Sequence, residues 1–373
     1  MNGFLINLFN MSITASWLIL AVILLRVLLK KAPKAIRCLM WALVGFRLVC
    51  PVSFESAVSL IPSRQTVSPD IVYSSSPAIE SGIPAVNNAV NTVLADTLAP
   101  SVEASVSPVQ ALLFTASIIW AAGLAVMLVY ALMSYLRLRK RVSVSMPLRD
   151  NILLCDAVKS PFVLGLIKPK IYLPSNICEK QINSVLAHES AHISRRDHWF
   201  KPLGFIILCV YWFNPLCWIA YWLLCKDIEL ACDERVIKDM DTQSKKSYSQ
   251  VLLACSTDRR IIAACPLAFG EVGVKQRIKG VLNYKKPALW VIAVALIACV
   301  ITAVCLMTSP KEPDNASSQL DPVIEEAVSA AILSENTGKY YDGECNAEGH
   351  VILDCDIEDN KLSPYCPQCH SQE

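Results

Sequence analysis

Four long apolar segments set the main constraint on how this chain can fold. Residues 2–25, 109–135 and 287–309 contain no charged side chain, and residues 38–54 contain only Arg47. Because a helix rises about 1.5 Å per residue, about 20 apolar residues cross the hydrocarbon core of a bilayer. Only 18% of the residues are charged, against about 25% in soluble domains. The sequence therefore predicts a mainly α-helical, multi-span integral membrane protein.

The distribution of basic residues predicts which side of the membrane each segment faces. Basic residues cluster after the first span at 30–37 and after the third at 137–141, whereas the loop at 55–108 holds only Arg64. Loops rich in Lys and Arg stay cytoplasmic. The predicted layout is two transmembrane helices in residues 1–54, a flexible extracytoplasmic loop at 55–108, a third transmembrane helix at 109–135, a cytoplasmic domain at 136–286, a last transmembrane helix at 287–309 and a short extracytoplasmic tail at 310–373.

The cytoplasmic segment contains the motif that carries the chemistry, His-Glu-Ser-Ala-His at residues 188–192. Residues i and i+4 of a helix share one face, so His188 and His192 can bind one zinc ion. Glu189, between them, can reach a water molecule at that ion. A surface helix with two unrelated histidines is the competing interpretation.

A catalytic zinc ion needs a third protein ligand, and Glu229 and Asp233 are the candidates. They are also spaced i and i+4, so one can bind zinc while the other orients a ligand histidine. Cys232, between them, is expected to pack in the core. An acidic helix face in water is the competing interpretation, and it fits Asp233 better than Glu229.

Residues 202–225 form another uncharged run, between His188 and Glu229. If these two residues are to share a metal, both ends of the run must lie on the same side of the membrane. A single crossing would separate them. The run contains Asn214-Pro215, which disfavours a continuous helix. A membrane-associated hairpin of two half-helices broken at this pair is therefore predicted, which is tolerated where protein covers the break.

Several spaced segments, together covering about residues 1–309, resemble the membrane zinc peptidases of the BlaR/MecR antirepressor type, bacterial signal transducers for beta-lactam antibiotics. The matching segments are Ser-Pro-Phe-Val-Leu-Gly at 160–165, Pro-Lys-Ile-Tyr-Leu-Pro at 169–174, the motif at 188–192 with Arg-Arg-Asp-His at 195–198, Trp-Phe-Asn-Pro-Leu at 212–216 and Asp-Ile-Glu-Leu-Ala-Cys-Asp-Glu at 227–234.

The resemblance implies a gluzincin-like α+β zinc metallopeptidase domain in the cytoplasm of a bacterial cell. It assigns His188, His192 and Glu229 as Zn²⁺ ligands and Glu189 as general base, with Asp233 as a supporting carboxylate. Arg196 and Asp197 are motif members without an assigned role. The substrate would be the chain itself, a cytoplasmic repressor protein, or both.

Two further regions are candidates for contact with substrate. The stretch containing Phe162 and Gly165 is either an edge strand that binds an extended peptide or an ordinary hairpin packed on the helix. The basic pair Arg259-Arg260 resembles the kind of site at which such proteins cleave themselves, with a solvated basic loop as the alternative.

The resemblance does not extend to the beta-lactam sensor domain. That domain needs a Ser-x-x-Lys nucleophile, and the 64 residues after Ser309 contain none. The extracytoplasmic ligand is therefore unidentified. Cysteines in this region are interpreted first as disulfides, then as a small zinc site with His350 or His370, then as free thiols: Cys345, Cys355, Cys366 and Cys369.

The charge balance and the composition of the spans exclude or disfavour two other classes of function, nucleic-acid binding and transport. With 34 basic and 32 acidic residues, the chain lacks the excess positive charge that is typical of nucleic-acid-binding proteins. The spans lack buried acidic pairs and paired interrupted helices, which disfavours a transporter. A receptor that signals without cleavage, using the zinc domain structurally, is the main alternative to a peptidase. The lipid bilayer is a predicted partner, and a homodimer is compatible with this layout.

Overall fold

The computed structural model describes residues 2–51, 54–56, 59–62, 65–68, 71, 74, 78–98, 108–255 and 273–310, and most of these residues are helical. The helices are α1 (Asn2–Leu28), α2 (Lys34–Val49), α3 (Pro84–Leu98), α4 (Pro108–Arg141), α5 (Glu179–Ser194), α6 (Asp197–Val210), α7 (Pro215–Ile237), α8 (Thr242–Ala254), α9 (Val274–Leu282) and α10 (Leu289–Met307). The strands are β1 (Phe54–Ser56), β2 (Met146–Arg149), β3 (Ile152–Cys155), β4 (Phe162–Leu164), β5 (Lys170–Pro174) and β6 (Thr308–Pro310).

Three of the described helices are long and apolar enough to cross a membrane: Gly3–Leu28, Pro108–Arg141 and Leu289–Met307. They contain most of the first, third and last predicted spans. Helix α2 has 16 residues and buries both Arg37 and Arg47. It is shorter than a typical span of about 20 residues, so the predicted span at 38–54 and the orientation of the chain stay predictions.

A four-stranded sheet in the order β2-β3-β5-β4 lies beside helix α5. Strands β3 and β5 are parallel, and β4 pairs with β5 in an antiparallel hairpin, with Phe162 opposite Tyr172. The hairpin turns at Gly165, whose φ is 115°, and a Cβ there would lie 2.6 Å from the Lys168 carbonyl oxygen. Only glycine fits this conformation without strain. Among the described residues, β4 is an edge strand.

The helical path is interrupted between α6 and α7, at Tyr211–Asn214. The Asn214 side chain accepts a hydrogen bond from the Leu216 amide at 2.9 Å, which caps α7. Its Nδ2 also donates to Ser12 Oγ at 2.8 Å and Ser16 Oγ at 2.9 Å on α1. These bonds satisfy a buried amide that would be costly in an apolar setting. Helices α6 and α7 return alongside each other, with Phe205 against Tyr221. The membrane depth of this hairpin stays a prediction.

A buried ion cluster joins α7 to the first two helices. Asp227 on α7 is fully buried and binds Arg26 of α1 through two bonds, Nε–Oδ2 at 2.7 Å and NH2–Oδ1 at 3.0 Å. Trp41 Nε1 on α2 donates to the same carboxylate at 2.9 Å, and Arg37 NH1 lies 3.9 Å away. Seven residues along α7, Glu234 accepts a hydrogen bond from the Lys34 amide at 2.6 Å, at the start of α2.

We predict that Asp227→Asn destabilises the protein strongly. Removing one partner of a buried ion pair costs about 3–5 kcal/mol because the other charge is left without compensation. The thermal unfolding midpoint of the detergent-purified chain should fall by several degrees. Asp239→Asn is the matched control, because Asp239 pairs with Lys286 at the surface and such pairs contribute little. Equal midpoints for the two variants would contradict the role given to Asp227.

Candidate metal centre

Helix α5 brings the two histidines of the motif to one point. The Nε2 atoms of His188 and His192 lie 3.2 Å apart, and the two rings are perpendicular. Both side chains are buried. The helix packs on β5 and α7 through an apolar cluster that includes Val185, Leu173 and Ile228. The two imidazoles are therefore held in a fixed relation to α7.

Helix α7 supplies a carboxylate to the same point. Glu229 Oε2 lies 3.6 Å from His188 Nε2, and Oε1 lies 3.8 Å from His192 Nε2. One ligand atom from each of these three buried residues lies within 4.8 Å of the others. Two ligands of a tetrahedral zinc ion, each about 2.0–2.1 Å from the metal, are about 3.4 Å apart. The three side chains fit one such ion.

Glu189 lies next to this cluster and is only 6% exposed. Its Oε2 atom is buried and has no hydrogen-bond partner among the described residues. A buried polar oxygen without a partner is costly, so a hydrogen-bond donor from outside the described residues is expected to bind it. Water is the simplest such donor. Glu189 and His188 line the same small cleft, with Pro161, Tyr248, Leu252 and Arg277.

The far side of the His192 ring contacts a second carboxylate, Asp197. Its Oδ2 lies 3.1 Å from His192 Nδ1 and accepts from Arg195 Nε at 3.1 Å. Arg196 makes this contact possible, because its left-handed backbone, with φ 61°, forms the turn between α5 and α6. A carboxylate at Nδ1 favours the tautomer whose Nε2 lone pair faces the cluster. Cys232 is fully buried, as predicted, and its Sγ also lies 3.1 Å from Asp197 Oδ2.

The far side of the His188 ring contacts Tyr248, which connects it to Asp233. The Tyr248 hydroxyl lies 2.9 Å from His188 Nδ1 and donates to Asp233 Oδ1 at 2.8 Å. Asp233 Oδ1 is itself 3.4 Å from His188 Nδ1. Asp233 also binds Arg277 of α9, with Nε–Oδ2 and NH2–Oδ1 distances of 2.7 Å each. Each histidine thus has a carboxylate-linked partner on the side away from the cluster.

Tyr248 and Arg277 were not among the residues predicted from the sequence, and Asp197 was a motif member without a predicted role. Tyr248 and Arg277 lie 60 and 89 residues beyond His188, so no local spacing connects them to the motif. The sequence offers only an indirect signal for Arg277 and Tyr248. A carboxylate such as Asp233, if buried, requires a cation or several hydrogen-bond donors nearby.

Close packing of charges shifts the pKa values of these groups. Burial and Arg277 lower the pKa of His188, but hydrogen bonds to Asp233 and Glu229 outweigh them and raise it to about 9. Burial opposes ionisation of Glu229 and Asp233, yet the adjacent imidazoles and Arg277 hold both carboxyl pKa values below their usual range. The carboxylates are therefore ionised at neutral pH, and a metal ion competes with a proton at His188.

Phe162 and Gly165, the other site predictions among the described residues, do not line the cleft of Glu189 and His188. Phe162 is fully buried and stacks on Tyr172 with ring centroids 5.4 Å apart, so its side chain is covered by the protein core. Gly165 forms the hairpin turn. Arg259 and Arg260 lie outside the described residues, as do the cysteines of the tail: Cys345, Cys355, Cys366 and Cys369.

Comparison with known proteins identifies related chains. The family model for the BlaR1 peptidase M56 matches residues 6–281. The chain is 30% identical over 135 residues to the regulatory protein BlaR1 of Bacillus licheniformis, a match covering 34% of this chain and 22% of that protein. It is 29% identical over 157 residues to the methicillin resistance mecR1 proteins of Staphylococcus aureus and Staphylococcus epidermidis, covering 39% of this chain and 27% of each relative.

These matches extend over about a quarter of the length of the relatives. The family model, in contrast, covers most of this chain, including α1, the sheet, the histidine cluster and Arg277. Three candidate membrane helices accompany it. The chain belongs to the BlaR1 peptidase M56 family, a membrane metallopeptidase family.

Proposed function

We propose that this protein is an integral-membrane zinc metalloendopeptidase of the antirepressor type. The observation that carries the proposal is the convergence of His188, His192 and Glu229 on one point. Glu189, next to His188, has an oxygen without a hydrogen-bond partner among the described residues. Two imidazoles and one carboxylate are a typical catalytic zinc ligand set and leave a coordination position open. Zn²⁺ is the proposed metal at this site.

The proposed reaction is hydrolysis of a peptide bond. A zinc ion at this site supplies Lewis acidity, which activates water and polarises a carbonyl group. Glu189 Oε2 accepts the proton of the attacking water, and the same carboxyl group then donates that proton to the leaving amine. Asp197 and Tyr248 orient the two histidines, so that both Nε2 lone pairs face the ion.

The free edge of β4 is the proposed position for the backbone of a substrate. Among the described residues only β5 pairs with β4, and Pro161, just before β4, lines the cleft that contains Glu189. An extended peptide can add to such an edge through main-chain hydrogen bonds. Because the side chain of Phe162 is buried, the contribution of this segment would come from its backbone. Strand addition accepts a peptide in mid-chain, which agrees with an endopeptidase.

The proposed setting is signalling across the plasma membrane of a bacterium, with the peptidase domain in the cytoplasm. The relatives are named for regulation and for methicillin resistance, which supports a cytoplasmic repressor protein, this chain itself, or both as substrate. The contacts of Asp227 support coupling between the membrane helices and the metal site. They connect α1 and α2 to the helix that carries Glu229. A change in the packing of the membrane helices would therefore reach the metal site through α7.

We predict that Glu189→Gln abolishes proteolysis while zinc stays bound. Loss of a general base typically lowers a rate by about 10²–10⁴-fold, and Glu189 is not one of the three proposed ligands. Cleavage is measured on gels, with the full-length chain in detergent alone and with a candidate repressor. Glu179→Gln, an exposed position on the same helix, is the matched control. Wild-type cleavage by Glu189→Gln would exclude this mechanism, whereas intact signalling without cleavage would favour the receptor alternative.

We predict a graded loss of zinc from changes in two of the carboxylates that contact the histidines, Asp197 and Glu229. Asp197→Asn should weaken zinc binding by about 10–100-fold, the usual effect of removing a partner that orients a ligand. Glu229→Gln should weaken it further, because it removes a ligand. Elemental analysis after dialysis against a graded chelator measures both. Full zinc retention in Glu229→Gln would contradict the ligand assignment.

A further inference from the structure

Arg277 is a buried arginine beside the candidate metal ligands. Its side chain is 2% exposed, and it enters the site from α9, which packs against both α8 and α7. Its NH1 atom lies 3.2 Å from Glu229 Oε2, and its NH2 atom lies 3.2 Å from His188 Nε2. The guanidinium group therefore faces two of the atoms that would bind the ion.

Asp233 holds this guanidinium in one orientation. The two bonds of 2.7 Å, from Nε and NH2, form a bidentate contact with the carboxylate, the geometry that fixes an arginine most firmly. Tyr248 donates to the same carboxylate, and Asp233 is itself buried. Asp233 is thus itself held in place, so the position of the Arg277 guanidinium depends little on side-chain rotation.

Arg277 and Glu189 line the same cleft, where the proposed hydrolysis would place the scissile peptide group. Once an ion binds the lone pairs of His188 Nε2 and Glu229 Oε2, those two atoms are weaker acceptors for the guanidinium. The oxygen of a substrate carbonyl beside the ion is then the natural acceptor, and negative charge develops on that oxygen as water attacks the carbon. Fixed donors aimed at developing charge are among the strongest catalytic devices in a site that excludes water.

We propose that Arg277 is a catalytic residue that donates hydrogen bonds to the scissile carbonyl oxygen and stabilises the charge that develops on it, with Asp233 and Tyr248 holding it in place. This inference rests on the proposed peptidase function. No bond to Arg277 forms or breaks in this role, and the proton from the attacking water still goes to Glu189 and then to the leaving amine.

The test compares two probes on the full-length, detergent-purified protein loaded with Co²⁺, whose visible absorption reports ligand binding without turnover. Benzylphosphonate carries a tetrahedral anion and imitates the charge that Arg277 would stabilise. Acetohydroxamate is a planar chelator that depends mainly on the ion. Arg277→Lys keeps the positive charge beside Asp233 but loses the planar, two-point contact. Arg235→Lys is the matched control, because Arg235 is an exposed arginine of α7 whose NH2 atom donates to Ser194 Oγ at 2.9 Å.

Arg277→Lys is expected to retain Co²⁺ and to bind acetohydroxamate within about threefold of wild type, while benzylphosphonate affinity falls by about 10–100-fold. Arg235→Lys should leave the ratio of the two affinities unchanged. Equal loss of both probes, or loss of neither, would overturn the inference. If neither probe binds the wild-type protein, the proposed function fails, and the inference fails with it.

Where Arg277→Lys does not fold, Arg277→Ala replaces it, with the benzylphosphonate titration repeated in the presence of methylguanidinium ion. Recovery of benzylphosphonate affinity, with no change for acetohydroxamate, would support the inference. Absence of recovery in protein that retains its Co²⁺ would overturn it.

Discussion

The buried carboxylates of α7 are the feature on which the rest of the structure depends. Asp227, Glu229 and Asp233 lie along one helix and are each at most 4% exposed. Burying an ionised carboxylate is costly unless a cation or several donors compensate it. Asp227 is compensated by Arg26, Asp233 by Arg277, and Glu229 faces two histidines and the same arginine. These requirements fix the neighbours of α7 on three sides.

The same helix connects the membrane region to the candidate metal centre. Asp227 and Glu229 are two residues apart, so the contact with α1 and α2 and the contact with the histidines lie within one helical turn. The break before α7 serves this arrangement, because Asn214 caps the helix and binds the serines of α1. Helices α6 and α7 then run side by side, which brings Asp197 and Cys232 together beside His192. A continuous helix through 202–225 would have carried Asp197 and Cys232 far apart.

Local rules predicted the parts of this site that depend on one helix. The spacing of His188 and His192 places them on one face, and Asn214-Pro215 disfavours a continuous helix, so a break at this pair was predicted. The need for a third zinc ligand left Glu229 and Asp233 as candidates, and the family resemblance implied Glu229. The fold places Glu229 near both histidines. Such local rules do not predict contacts between residues that are far apart in the sequence. Arg26 and Asp227 are 201 residues apart, and Arg277 reaches His188 across 89 residues. The role of Asp197 depends on the backbone of Arg196, which sequence pattern does not predict.

X-ray absorption spectroscopy of zinc in the purified full-length protein tests the proposed metal centre most directly. A site formed by His188, His192 and Glu229 predicts one zinc ion per chain with only nitrogen and oxygen neighbours at about 2.0–2.2 Å, including two imidazoles. The chain also has 16 cysteines, which are the alternative zinc ligands and give a different metal–ligand distance. A sulfur shell at about 2.3 Å would assign the ion to cysteine ligands and would contradict a site formed by His188, His192 and Glu229.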